Sequence, residues 1–379
     1  MDLLDKIVKN SPHLDWIHNG TVYITRHGSK AYGTNTATSD DDYKGIAIPP
    51  KRYYLGSQHK FEQAELNEPD AVIYEIRKFF LLASDCNPNT IEVLFTDESD
   101  HIYVDPIGEK ILENKDKFLS KKIKFTFSGY AVAQLKRIKT HRRWLINPPQ
   151  TPPTRAEMGL PEKTLIPADQ LAAAEAEIRK ELDRYQFDFL EHSSEGEKVQ
   201  LKALISTMMA ELKITSDAEW VSAARRVGLD DNFIYLMQKE REYTGKKREW
   251  DQYKNWERTR NKDRASLEAK YGYDTKHGYH LVRLIRMCRE ILTTGKVIVK
   301  RPDFEELLAI RNGAWECDYL IEWAEQQDKE LDELYKVSEI LPKMPDRVYL
   351  DKLCIELVEK SLSKYSWYNV SKLLGNLFK

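Results

Sequence analysis

Along the first 120 residues, short β-branched and aromatic runs alternate with amphipathic stretches, the pattern of a chain that lays helices against a small sheet. Thr21–Thr25 predicts one strand, and Lys44–Ile48 a second that Pro49-Pro50 must end, because proline has no N–H for a ladder. Ala71-Val72-Ile73 predicts a short third strand. It runs into a helix, Tyr74–Ser84, where Ile76, Phe79, Phe80 and Leu82 or Ala83 recur at helical spacing. Asn87-Pro88-Asn89 then breaks the chain before Thr90–Phe95.

From Phe125 onward the period is helical, interrupted by the prolines of Asn147–Pro153, which mark a hinge or domain edge. The stretch from about 165 to 265 is rich in Ala, Glu, Lys and Arg, with helical runs such as Ala168–Tyr185 and Lys198–Leu212. With the proline hinge before it, a helical segment inserted or appended at about 145–265 is expected. Another helical block runs from His277 to about Lys336, punctuated by Gly295 and Pro302, and a final helix is expected from Arg347 to about Leu362. The fold class expected is α+β: a first domain at 1–120 with a small mixed sheet, then a mostly helical domain at 121–379.

Composition narrows the field of functions. Fifty-nine Lys and Arg against 61 Asp and Glu leave a net charge of −2, which excludes a globally basic nucleic-acid binder but permits local patches. No run of roughly eighteen uncharged apolar residues exists to form a membrane span. The charged opening, with Asp2, Asp5, Lys6 and Lys9, lacks the apolar centre of a secretory signal, so a soluble cytoplasmic protein with no membrane partner is expected. Cys86, Cys288, Cys317 and Cys354 form no CxxC pair, and of the histidines only His277 and His280 approach ligand spacing. Zinc and a disulfide framework are therefore not expected.

The run that carries chemistry extends from His27 to Ile46. Gly28-Ser29, directly after a strand and opening a short helix, would present backbone N–H groups and a hydroxyl to a polyphosphate. His27 could touch a phosphate or serve the turn. Further on, Ser39-Asp40-Asp41-Asp42 leads into the next strand, where alternation would turn Asp40 and Asp42 to one face and Asp41 to the other. An acidic triplet alone is most often a solvated turn. Two carboxylates on one face beside a phosphate cradle instead suit a divalent metal such as Mg²⁺.

The Gly-Ser, spacer, Asp-x-Asp pattern is similar to the signature of the DNA polymerase beta nucleotidyltransferase superfamily. The fuller string from Gly28 through Ala31-Tyr32-Gly33-Thr34 and Ser39-Asp40 to Asp42 and Gly45 resembles one branch, the RNA repair pathway DNA polymerase beta family. Tyr74–Phe79 with Asn87-Pro88 and Glu92, Tyr273–His277 with His280–Leu284, and Arg301-Pro302 with Leu307–Gly313 extend the likeness over the N-terminal domain and about 271–330. No motif of the 145–265 segment matches. The resemblance implies a polymerase-beta-like domain at 1–120 that transfers a nucleoside monophosphate from an NTP such as ATP to a hydroxyl, with pyrophosphate leaving. It implies Mg²⁺ or Mn²⁺ held by Asp40 and Asp42, and phosphates held by Gly28 and Ser29. A third carboxylate is also implied: Asp70 is the first choice, Glu75 the alternative, and Glu92 more distant. Asp70 could equally be a helix N-terminal residue facing the macrodipole.

Three further clusters are rich in basic residues. Lys136, Arg137, Lys139, Arg142 and Arg143 gather on one predicted helix with no acid among them, and Gln134, Arg137 and His141 follow one another at one-turn spacing. Lys136, Arg137, His141 and Arg142 are the candidate nucleic-acid contacts, and together with the RNA repair resemblance they point to an RNA acceptor such as a tRNA end. In Lys246–Arg258, Trp250, Tyr253 and Trp256 could stack on bases, but acids dilute the charge and three-residue spacing favours a packed stripe. Lys276, His280 and Arg283 fall at i, i+4 and i+7 and could close over a triphosphate, or form a surface ion network. Two rival functions remain: nucleotidylation of a protein or small molecule, and a non-catalytic RNA-binding module that keeps the fold.

Overall fold

The computed structural model describes residues 3–37, 39–187, 217–260 and 262–377. The chain forms two compact units, one made of Met1–Ile146 with Asn261–Lys379 and the other of Asn147–Arg260.

The first unit is built on five strands: β1 (Thr21–His27), β2 (Asp42–Ala47), β3 (Gln63–Asn67), β4 (Asp70–Glu75) and β5 (His101–Val104). Their order is β3-β4-β2-β1-β5, with β2 and β4 parallel and the other neighbours antiparallel, a mixed sheet. The three expected strands are present. β3 and β5 add the two edges, for which the sequence analysis marked no strand. β3 buries Ala64 and Leu66 while exposing Glu65 and Asn67, whereas β5 leaves Ile102 and Tyr103 about half exposed.

Both faces of the sheet are covered, and alternation assigns neighbouring residues to different cores. Ile24, Ala47 and Ile73 pack with Leu4, Ile7 and Ile17 from the N-terminal helices, α1 (Leu3–Asn10) among them. Tyr23, Ile46 and Tyr74 join the larger core on the other face. That core is supplied by α3 (Ile76–Ser84), α4 (Pro88–Leu94), α5 (Pro106–Glu113), α6 (Ile123–Ile146), α7 (Thr275–Thr294), α8 (Phe304–Arg311) and α9 (Cys317–Val337), while α2 (Gly28–Tyr32) follows β1. The expected start of α3 at Tyr74 moves to Ile76, because Glu75 remains on β4 and caps the helix, its carboxylate accepting from the Lys78 N–H at 3.0 Å. Thr90–Phe95 lies largely on α4, which opens with Pro88 behind an Asn87 cap.

α7 buries a broad apolar face of Tyr279, Leu281, Val282, Leu284, Ile285, Met287, Cys288, Ile291 and Leu292, while Lys276, His280, Arg286 and Arg289 stay partly exposed. Asp274 caps its start, accepting from the Lys276 N–H at 2.9 Å, and Gly295 at φ +70° ends it. Because Tyr23 and Ile46 of the sheet share one core with Phe127 and Ile138 of α6 and Leu281 of α7, the chain does not divide into separate cores at residue 120. The last helix, α10 (Arg347–Leu377), runs longer than its expected end at Leu362.

The second unit begins at the proline-rich stretch. Helices Ala168–Phe187, Asp217–Arg226 and Asp231–Thr259 contribute Ile178, Trp220, Ala223, Ala224, Ile234 and Met237 to a small core of its own. Tyr253 is buried between half-buried Trp250 and Trp256, with successive ring centroids 6.0 Å apart, as packed side chains would be. The expected helical run Lys198–Leu212 lies outside the described residues. Among the described residues, no helix is long and apolar enough to cross a membrane.

Candidate functional site

Three chain segments meet at one end of the sheet. His27, which ends β1, pairs with Asp42 at the start of β2, and Asp42 stands in register with Asp70 at the start of the parallel strand β4. Leaving β1, the chain turns into α2 through Gly28 at φ +66°. A β-carbon at Gly28 would lie 1.8 Å from the Asp42 Oδ2, so the position demands glycine both for its backbone angle and for the carboxylate packed against it. Gly28, Ser29, Asp40, Asp42, Lys44 and Asp70 all line a cleft of about 510 Å³.

β2 begins only at Asp42, so strand alternation does not place Asp40, contrary to the expectation from the acidic triplet. Asp40 belongs to the preceding loop and nevertheless reaches the cleft. The loop is pinned by Thr34, whose N–H donates to the Ser29 carbonyl at 2.9 Å and whose hydroxyl meets the Tyr279 hydroxyl at 2.7 Å. Asp41 turns elsewhere and pairs with Lys30 at 2.6 Å.

Crowding of acids is visible in Asp42. Burial and then the Asp70 charge raise its pKa, with a smaller push from Asp40, against the opposing pull of Lys276 and Lys44. Among the described residues, no three or more His, Cys, Asp or Glu side chains are gathered in a way that could by themselves hold a metal ion. The donors here are hard carboxylate oxygens in an open cleft. Asp42, Asp40 and Asp70 could contribute such donors to a divalent cation only if water and substrate phosphates supplied the rest of its shell.

The structure separates the three acids considered for third place. Asp70 lies on β4 beside Asp42 and not at a helix start. Glu75 is at the far end of β4, where it caps α3 and accepts from the Tyr54 hydroxyl at 3.1 Å and from Arg77 at 3.0 Å. Glu92 is fully buried beneath the cleft, accepting from Arg283 at 2.5 Å and from the Tyr32 hydroxyl at 2.6 Å, with His27 Nε2 3.4 Å away. Burial alone would raise the Glu92 pKa, but the Arg283 charge, the nearby His27 ring and the Tyr32 hydrogen bond outweigh it and hold the carboxyl well below the usual range. Burial, followed by the Lys44 charge, brings His27 from its ordinary 6.5 down to about 4, so it is neutral at physiological pH.

This network changes the reading of the α7 face. Lys276, His280 and Arg283 all line the cleft, but Arg283 is buried, lies 3.9 Å over the Tyr32 ring, and has its charge met by Glu92. His280 is held well below its ordinary pKa by burial and by the Arg283 and Lys276 charges, so it offers a neutral ring. Of the four expected nucleic-acid contacts, Arg137 opens on the cleft and Lys136 is exposed. Arg142 is bound in bidentate fashion by Asp318 of α9, one bond measuring 3.1 Å, and nearby Lys139 pairs with Glu325 at 2.8 Å. His141 is half-buried, stacked on Trp144 at 5.6 Å. The acids absent from the α6 sequence are thus supplied by α9.

Two cations escaped the sequence analysis. Lys44 follows Asp42 by two positions on the same strand face and donates to the Asn89 side chain at 3.3 Å; alternation counted from Asp42 could have found it. Arg311 enters from the end of α8, donating to the Thr34 carbonyl at 3.3 Å; it lies within the Leu307–Gly313 stretch that carries the resemblance, but nothing in its spacing assigns it to the cleft.

Residues 1–146 match the model of the RNA repair pathway DNA polymerase beta family. The matched segment includes Gly28, Ser29, Asp40, Asp42, Asp70 and all of α6. Lys276, Arg283 and Arg311 therefore complete the cleft from beyond the part that matches this polymerase-beta family. A protein of Enterobacteria phage T4, described as an uncharacterized 38.9 kDa protein in the nrdC-mobD intergenic region, is 29% identical over 126 residues, covering 30% of this chain. The alignment spans 37% of that relative's length. No solved structure matches.

Proposed function

We propose that this chain is a metal-dependent nucleotidyltransferase that moves a nucleoside monophosphate from an NTP to a hydroxyl on an RNA end, such as that of a tRNA, releasing pyrophosphate. The observation that carries this reading is the juxtaposition of Asp42 with Asp70 on parallel strands and with Gly28 at the neighbouring turn. Mg²⁺ or Mn²⁺ held by Asp42, Asp40 and Asp70 would neutralise charge on the entering and leaving oxygens. Gly28 admits the triphosphate to the backbone, and Ser29 adds a hydroxyl donor. Lys44, Lys276 and Arg311 offset the phosphate charge from the remaining walls. The acceptor oxygen bonds to the α-phosphorus as the bond to the α–β bridging oxygen breaks. Its proton passes to a carboxylate of the site or to water, and pyrophosphate departs with the bonding pair.

Arg137 at the cleft and exposed Lys136 favour a polyanionic acceptor. The test is label transfer and pyrophosphate release from each α-labelled NTP with Mg²⁺ or Mn²⁺, offered bulk tRNA, other RNA or protein extract. The Asp40→Asn/Asp42→Asn double variant serves as control. Label on RNA with the wild type alone is expected. Label on protein would reassign the acceptor, and no transfer with RNA still bound by both forms would replace the enzyme with a binding module.

A further inference from the structure

The wall of the cleft contributed by α6 has a chemistry that phosphates do not explain. Tyr130, Gln134 and Arg137 stand at i, i+4 and i+7 and all three line the cleft. The Tyr130 hydroxyl accepts from the Asn87 amide at 3.0 Å, which tethers the ring by its edge while the residue stays 39% exposed. Gln134 Oε1 is buried with no hydrogen-bond partner. A buried acceptor without a donor is an uncommon feature that a ligand N–H would remedy.

We infer that this wall is a nucleobase subsite: the base of the bound NTP lies against Tyr130, and an amino group on its edge donates to Gln134 Oε1. The inference rests on the nucleotidyl-transfer reading and adds to it a preference for amino-bearing bases. An anchored aromatic ring offers a stacking surface indifferent to base identity, whereas a side-chain amide reads the hydrogen-bonding edge. The acids and Gly28 occupy the sheet wall of the same cleft, and its volume of about 510 Å³ falls within the range of sites that enclose one small ligand. Triphosphate at the sheet and base at α6 therefore fit one nucleotide.

The test measures equilibrium binding of the full chain, with Mg²⁺, to ATP against ITP and to CTP against UTP, pairs in which a carbonyl replaces the amino group. Inorganic tripolyphosphate is the probe for the phosphate half alone. The wild type should favour the amino member of at least one pair by roughly tenfold, the scale of one hydrogen bond to a buried group. That ratio should fall to near one in Gln134→Leu and persist in Gln134→Glu, which keeps an acceptor oxygen at the same place. Because the readout is a ratio, partial loss of folded protein does not imitate the effect. Ratios near one in the wild type, or a ratio that Gln134→Leu leaves unchanged, would overturn the assignment. ATP binding no tighter than tripolyphosphate would overturn the base subsite while leaving transfer chemistry standing. Binding of neither would overturn both.

Discussion

Gly28→Ala separates the stability of the fold from the geometry of the cleft. At φ +66° an alanine would occupy the left-handed region, which costs about 1–2 kcal/mol for a residue with a β-carbon. The new methyl would also lie 1.8 Å from Asp42 Oδ2, 2.8 Å from its Cγ and 3.2 Å from its Cβ. To regain ordinary contact the carboxylate oxygen has to retreat by about 1.6 Å, from 1.8 Å to the 3.4 Å at which normal packing begins. A carboxylate is the mobile end of its side chain, so the retreat adds little to the folding cost. On the proposed reading the same displacement would take the Asp42 carboxylate away from the metal, and an error of about 1 Å at a reacting centre is worth roughly 100-fold in rate. The expected variant is folded, with a melting temperature lower by a few degrees, and slower in NTP-dependent pyrophosphate release by about 100-fold or more. Release within threefold of wild type, with the fold intact, would refute the claim that Gly28 is needed to hold the Asp42 carboxylate in a working position.

Asp42→Asn removes one of several crowded negative charges, so in metal-free buffer its stability should stay within about 1 kcal/mol of wild type or rise, while transfer activity is lost. In the same melts, Mg²⁺ should stabilise the wild type and not the variant, as expected of an ion that binds only the folded state. The buried histidine makes stability pH-dependent. His27 is neutral in the fold down to about pH 4 but takes up a proton near pH 6.5 when unfolded, so its share of stability is present above 6.5 and declines as pH falls towards 4. Urea unfolding at stepped pH should show a slope in this window of up to about 1.4 kcal/mol per pH unit, less steep in His27→Gln; an identical slope in the variant would contradict the reading. For RNA binding followed against salt, Arg137→Ala should lower the logarithmic salt slope by about one. Arg142→Ala should change it much less, because Asp318 already neutralises that guanidinium. Equal losses from the two variants would argue against the α9 pairing.

What the chain declared by itself was local. Short β-branched and aromatic runs placed β1, β2 and β4, helical spacing placed α3, and Gly28-Ser29 marked the strand-to-helix turn after β1, where the structure puts Gly28 at a positive φ against the Asp42 carboxylate. Proline marked the place where the second unit begins. The resemblance carried by the same motifs led to the family that residues 1–146 match. Such signals depend on a few neighbouring residues and survive in one dimension. Which acid stands beside Asp42 did not: Asp70, Glu75 and Glu92 are alike in sequence, and only the parallel register of β2 with β4 distinguishes the first from a helix cap and a buried counter-ion. Nor could spacing reveal that Arg283 meets Glu92 across 191 positions, that Arg142 and Lys139 are answered by α9, or that Arg311 enters the cleft from α8. Neutralisation and burial are properties of pairs brought together by packing. A periodic pattern reports which face of one element is apolar, but the charge a side chain presents to a ligand is settled only when the partner from another element has arrived.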